Sequence, residues 1–182
     1  MLVVPNPTKQ ANPPMFLTIR DSTQSLVPPT GTMSPTEMPC PTLPQLDRLH
    51  KALEASNVPK LDLDAHTTHH FCRGMYAREL RIPAGYVVVG KMHASENFFL
   101  LVSGEVTIST RDGMRRLIGP ILAVTKPGDK RVAYAHTDVV MFNFHTRADD
   151  TEDPEILETR YVVPAEEEHR ALAYLTERRL LV

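Results

Sequence analysis

Between Met75 and His145 the chain breaks into short runs of β-forming residues separated by turn residues, and no other feature limits its fold as tightly. The runs are Met75 to Ile82, Tyr86 to Met92, Asn97 to Ser103, Glu105 to Thr110, Ile121 to Thr125, Arg131 to Ala135 and Val139 to His145. The breaks are Pro83-Ala84-Gly85, Ser103-Gly104, Arg111-Asp112-Gly113, Gly119-Pro120 and Pro127-Gly128-Asp129, all of them turn chemistry. Asp112-Gly113 between Val106-Thr107-Ile108 and Leu117-Ile118 marks a hairpin. Many short strands at such close, regular spacing predict a mostly β fold, a sandwich or small barrel.

The flanks differ in texture. Eleven of the 16 prolines precede Lys60, and residues 1–44 carry only four charged side chains, Lys9, Arg20, Asp21 and Glu37. Proline fixes φ and removes an amide donor, so this segment favours extended conformations and has no core of its own. Its composition alone reads as a flexible tail, yet Met15-Phe16-Leu17-Thr18-Ile19 has the apolar content of a short added strand. Phe16, Leu17 and Ile19 are therefore candidate partner-binding residues, with Leu2, Val3 and Val4 as further apolar anchors, if the arm lies along another subunit.

From Gln45 to Ser56, Leu46, Leu49, Ala52 and Leu53 recur at helical spacing, and Asn57 with Pro59 supplies a stop. Near the carboxy terminus, Glu166, Glu167 and Glu168 open and Arg178 and Arg179 close a segment with the polarity of a helix dipole, and Ala171, Leu172 and Leu175 give it an apolar face. The expected organisation is an arm over 1–44, a short helix and linker over 45–59, a β-barrel over 60–148 and a helical extension over 149–182.

At 182 residues the chain suits one domain with extensions, and no run of ~20 apolar residues is present to span a bilayer. Met1 to Gln10 does not read as a secretory signal, so a cytoplasmic protein is expected. Cys40 and Cys72 allow at most one disulfide, and free thiols are expected. With 20 basic against 22 acidic residues and a net charge of −2, nothing favours nucleic acid or an acidic membrane as a partner.

The stretch PAGYVVVGKMHASENFFLLVSGEV, containing Gly85 to Gly104, resembles the first signature of the cupin superfamily, and GPILAVTKPGDKRVAYAHTD, Gly119 to Asp138, resembles the second. The resemblance covers about Asp64 to Arg147, including His69-His70-Phe71 and Met75-Tyr76-Ala77-Arg78-Glu79, and is similar more narrowly to small cupin-like proteins of tailed bacteriophages. It implies a cupin-type jelly-roll β-barrel and, in many members, one divalent transition metal held by histidines and a glutamate. That donor set suits iron, manganese, nickel or zinc.

Here the signatures are incomplete. His93 stands alone where two histidines one residue apart are usual, with Lys91 and Ser95 at that spacing. Glu96 stands for the glutamate, and Arg131 replaces the second-signature histidine. His136 is a substitute, but its odd offset from Arg131 puts it on the opposite strand face unless a bulge intervenes. The candidate metal set is thus His93, Glu96 and His136, with a Glu96–Arg131 salt bridge as the alternative use of that space. His145, His66, His69 and His70 are further candidates, although Thr67-Thr68-His69-His70 reads as loop.

These features favour a non-catalytic structural protein that takes no cofactor. It would be a homo-oligomer docking through its arm on copies of itself and on other assembly proteins, a virion component if phage-encoded. The alternatives are a metal-dependent enzyme, of isomerase or dioxygenase type, and a barrel that binds a sugar or other small ligand.

Overall fold

The computed structural model describes residues 2–5, 38–147, 149 and 151–180. Ten strands run in chain order: β1 Leu2–Pro5, β2 Thr67–Cys72, β3 Met75–Ile82, β4 Tyr86–Val89, β5 Asn97–Ser103, β6 Glu105–Thr110, β7 Gly113–Ile118, β8 Ile121–Thr125, β9 Val132–Ala135 and β10 Val139–Thr146. Three helices accompany them: α1 Leu43–Ala55, α2 Pro154–Tyr161 and α3 Glu168–Leu180, the last entered through a 3₁₀ turn at Ala165–Glu167.

The strands pair into two antiparallel five-stranded sheets, ordered β1-β4-β9-β6-β7 and β2-β3-β10-β5-β8. Setting aside β1 and β2, each sheet draws alternately from early and late strands, which is the jelly-roll interleaving of two Greek keys. Alternation with period two then divides each strand. Leu80, Ile82, Phe99, Leu101, Val106, Ile108, Ala133, Ala135, Val139 and Met141 meet between the sheets as the core.

The hairpin at Arg111-Asp112 joins β6 to β7, with Thr110 opposite Gly113. Gly113 has φ +110°, and a Cβ there would sit 2.3 Å from the Met38 carbonyl, which accepts a hydrogen bond from the Met114 N–H. The chain entering α1 is therefore fastened to the barrel at a position that only glycine permits.

Helix α1 begins at Leu43, two residues before the expected start. Pro44 fits its first turn, and the Gln45 side-chain carbonyl accepts the Thr42 N–H at 2.8 Å. Its buried Leu46 and Leu49 cover the outer face of the first sheet against Val87, Val89, Met114 and Val132.

Two elements depart from the sequence reading. Thr67–Cys72 is a strand and not a loop, paired along β3 with its side chains alternating between half-buried and exposed. Helix α2 lies where none was expected. Asp153 caps it by accepting from the Glu155 and Ile156 N–H groups, and fully buried Leu157 packs with Tyr76 and Tyr161. Helix α3 is tied down by Glu168, whose carboxylate binds Lys130 at 2.6 Å, while Lys130 also reaches Asp47 of α1.

Strand β1 adds to the edge of the first sheet, pairing Leu2 with Val89 through Pro5 with Tyr86. Phe16, Leu17 and Ile19, the candidate partner-binding residues, lie outside the described residues. Cys40 and Cys72 are both free and exposed. No described helix is long and apolar enough to cross a membrane.

Candidate functional site

His93 sits on the connection from β4 to β5, where backbone bonds fix it on both sides. Its N–H donates to the Asp129 carbonyl at 3.0 Å, and its carbonyl accepts from the Gly128 N–H at 2.8 Å. It also bridges to Val162 just beyond α2. The Pro127-Gly128-Asp129 turn thus positions the one histidine of the first signature.

The next inward-facing residue is Asn97 rather than Glu96, because β5 starts at Asn97 and buries alternate residues from there. The Asn97 amide nitrogen donates to Nδ1 of His93 at 3.1 Å and to the Ser95 carbonyl at 3.2 Å. Its side-chain oxygen accepts from Asn143 of β10 at 2.8 Å. These three contacts set the amide orientation, since a flip would turn its oxygen towards the Ser95 carbonyl. Nδ1 of His93 is accordingly an acceptor, and the ring proton is on Nε2.

Arg131 fills the second-signature histidine position. Its guanidinium lies over the Phe99 ring, 5.1 Å from the centroid, and 3.7 Å from the Asp129 carboxylate. Burial, and then the Arg131 charge, press the His93 pKa down to about 4. His93 is a neutral imidazole at ordinary pH.

The expected metal set does not assemble. Glu96 is exposed and pairs with Lys126, so the Glu96–Arg131 bridge does not form either. His136 follows β9 on the outer face of the first sheet. There its Nε2 meets the Thr107 hydroxyl at 2.8 Å and its ring packs edge-on to Tyr134, with burial pushing its pKa to about 4. Ala133 and Ala135 face the core, whereas Val132 and Tyr134 face away, and His136 lies with them against Thr107 and Tyr134. Lys91 pairs with Glu158 of α2.

Among the described residues no three His, Cys, Asp or Glu side chains converge as a metal site. Around His93 stand the Asn97 amide engaged on Nδ1, the positively charged Arg131 guanidinium and the imidazole of His145, while the nearby Asp129 carboxylate is already taken by Arg111, the Lys126 N–H and Arg131. A divalent cation needs free imidazole nitrogen or carboxylate oxygen, and a neighbouring fixed cation repels it. The residues present do not fit a metal.

What the structure gathers instead is an aromatic and imidazole column along the barrel mouth. Phe71 stacks on Tyr76, Tyr76 on Tyr161, Tyr161 on His145 with centroids 4.3 Å apart, and His145 on His93 at 6.3 Å. His69 Nδ1 lies 2.7 Å from the Tyr76 hydroxyl, and the Tyr161 hydroxyl donates to the Thr146 carbonyl at 2.6 Å. Burial holds His145 at about 4 and raises Tyr76 to about 12, so these groups are uncharged.

The column borders a cavity of about 520 Å³, to which Arg78 and Asn143 also contribute. His145 Nδ1 is buried there with no hydrogen-bond partner among the described residues. Neutral imidazoles, phenols and one guanidinium can hydrogen-bond a hydroxyl-bearing or anionic small molecule.

Asn97, Asn143, Tyr76 and Tyr161 were not singled out from the sequence. The parity of β5 counted back from Gly104 and the alternation of β10 were the available signals.

No protein-family model matches the chain, and no curated protein matches it. Solved structures similar to it include a cupin-2 domain protein from Shewanella frigidimarina, 16% identical with TM-score 0.38 over 44% of this chain and 79% of that one. A cupin superfamily protein from Desulfitobacterium hafniense is 11% identical, TM-score 0.39, over 44% and 74%. An acetylacetone dioxygenase from Acinetobacter johnsonii is 13% identical, TM-score 0.38, over 44% and 58%. Strand order and register, not these distant likenesses, carry the jelly-roll assignment.

Proposed function

We propose that the protein is a non-catalytic jelly-roll block that works by assembly, docking on copies of itself and on other proteins of a particle such as a tailed-phage virion. The observation that carries this reading is the filling of the signature positions. Asn97 and Asn143 lock His93 through a closed hydrogen-bond relay, and Arg131 is engaged with Phe99 and Asp129. Such an interior stabilises a barrel and leaves no free carboxylate beside His93 to complete a metal site. The proline-rich arm supports the assembly half of the proposal, because restricted residues lose less entropy on docking.

Phe16→Asp tests it. Light scattering after size-exclusion chromatography, or incorporation into the native particle, should show weakened assembly with the far-ultraviolet β signal retained. Assembly equal to the parent overturns the arm's role, and a stoichiometric transition metal lost on His93→Ala overturns the non-catalytic reading.

A second reading, a small-ligand binder, is favoured by the cavity that His145, Arg78, Tyr76 and Asn143 line. Titration with neutral sugars and small carboxylates, followed by the His145 imidazole resonances, distinguishes it.

A further inference from the structure

Helix α3 is attached by its first residue far more than by its apolar face. Of residues 168–177, Glu168 alone is buried, while Leu172 remains 37% exposed. An ordinary surface helix buries an apolar stripe along its length, and one of 13 residues has little stability undocked. What holds this one is charge. Glu168 Oε2 accepts from Lys130 Nζ at 2.6 Å, and its Oε1 accepts from the Met92 N–H at 3.4 Å. Lys130 also donates to Asp47 of α1 at 3.3 Å, and the second Asp47 oxygen lies 3.0 Å from Nε2 of His169. Side chains from α1, α3 and the turn before β9 thus form one latch, with Lys130 and Glu168 at 10% and 4% side-chain exposure.

Beyond the latch, α3 runs over a groove of about 550 Å³ that it shares with α1 and the Pro127-Gly128-Asp129 turn. Leu43, Leu46 and Met92 form the apolar floor, and Leu172 and Leu175 form the α3 wall. Leu175 rests on Gly128: a Cβ there would stand 2.9 Å from its Cδ1 and 3.8 Å from that of Leu172. Glycine therefore seats the leucines as well as turning the chain at φ +84°. The chain before α3 is fixed separately, since Leu157 and Tyr161 are buried and the Val163 N–H donates to the Met92 carbonyl at 2.9 Å. Residues 164–167, all exposed, lie between that anchor and the latch.

We propose that α3 is a latched lid, hinged at residues 164–167, that uncovers this groove when the Lys130–Glu168 contact breaks. The groove shares no lining residue with the cavity beside His93, so the inference rests on neither reading of function above. Segments with few buried apolar contacts open locally while the rest of a fold stays closed, and α3 has that character. A buried ion pair fixes position but adds little net stability, because desolvation offsets its attraction. The lid is therefore held in one place at a low cost of opening.

The native thiols report on it. Cys40 lines the groove and Cys72 ends β2, and both are free. In the full chain, alkylation of Cys40 by a bulky maleimide is followed with Cys72 as the internal reference, alongside amide exchange of α3 and of the strands. Glu168→Gln leaves Lys130 paired with Asp47, so no charge is left without a partner. It is expected to speed Cys40 alkylation relative to Cys72 about threefold or more and α3 exchange about tenfold or more, with β5 and β10 unchanged. Should that variant lose its β signal, Leu172→Ser with Leu175→Ser, which leaves the latch and the barrel core intact, is expected to act in the same direction. Cys40 and α3 rates equal to the parent's overturn the lid. Equal acceleration in β5 and β10 also overturns it, because the ion pair would then support the whole fold. So does α3 exchange at free-peptide rates in the parent, which removes the closed state.

Discussion

The Asn97 side chain donates a hydrogen bond to Nδ1 of His93 across 3.1 Å, and the same amide accepts from Asn143. This contact decides the chemistry of the barrel interior, because it occupies the nitrogen lone pair that a metal or a proton would otherwise take.

Asn97→Asp should raise the His93 pKa from its value of about 4 by about 1 to 3. The substitution removes a donor to Nδ1 and places a negative charge against it, and both changes favour the imidazolium. Arg131→Met should raise it too, through loss of a nearby positive charge. Proton NMR titration of the His93 ring measures both, and an Asn97→Asp curve superimposable on the parent's would show that the two side chains are not in contact.

Stability should fall as pH is lowered from about 6.5 towards 4. His93, His136 and His145 have ordinary pKa values of 6.5 and are held near 4 in the fold, chiefly by burial. Between those limits the unfolded chain binds more protons than the native one, so each group removes up to about 1.4 kcal/mol per pH unit. Glu79 and Glu105, whose pKa values are lowered by partners, act only further down, below their ordinary value of 4.5. Loss of Tm between pH 7 and 5 is therefore the histidines' signature, and His145→Gln should make that slope shallower. A flat Tm across this range would contradict the neutral column.

The β framework was legible because turn residues punctuate it. Met75 to Ile82, Asn97 to Ser103, Glu105 to Thr110 and Ile121 to Thr125 stand at their expected bounds. Thr67–Cys72 escaped because its polar residues mask a strand whose register is set by β3, a non-local partner. Helix α2 is too short for its period to show, and its stability comes from Leu157 and Tyr161 docking on Tyr76. The site was legible in part. His93 was found by motif, but His136 was kept as a ligand although its odd offset from Arg131 set it on the opposite face, and Glu96 was chosen for its chemistry where strand phase selects Asn97. Residue type competes with the two-residue period, and inside a barrel the period wins.

Restoring ligands should restore a metal site. With Arg131→His and Asn97→Glu, an imidazole and a carboxylate replace a cation and an amide beside His93, giving the donor set that borderline divalent ions prefer. The double variant should bind nickel or zinc by calorimetry with an affinity at least a hundredfold above the parent's. A parent that already binds one ion tightly would show that Arg131 swings aside, and would remove the electrostatic objection to a metal.

Truncation locates the true start of the folded unit. Removing residues 1–37 deletes β1, whose four residues pair only at the sheet edge beside β4, and leaves α1 intact. The β signal should persist with a modest loss of Tm. Removing residues 1–44 takes away three further supports: the Met38 carbonyl that accepts the Met114 N–H, the Thr42–Gln45 cap, and Leu43, only 6% exposed. Loss of a buried leucine costs about 2–5 kcal/mol and loss of a cap about 1 kcal/mol. The longer deletion should thus be less stable than the shorter by at least about 3 kcal/mol, the sum of the low ends of those two costs. Urea melts of the two truncations measure the difference. Gly113→Ala in the full chain provides the point-substitution equivalent, since its Cβ would collide with the Met38 carbonyl and its φ of +110° disfavours a side chain. Equal stability of both truncations would show that residues 38–44 do not belong to the folded unit, and would move its boundary to the body of α1.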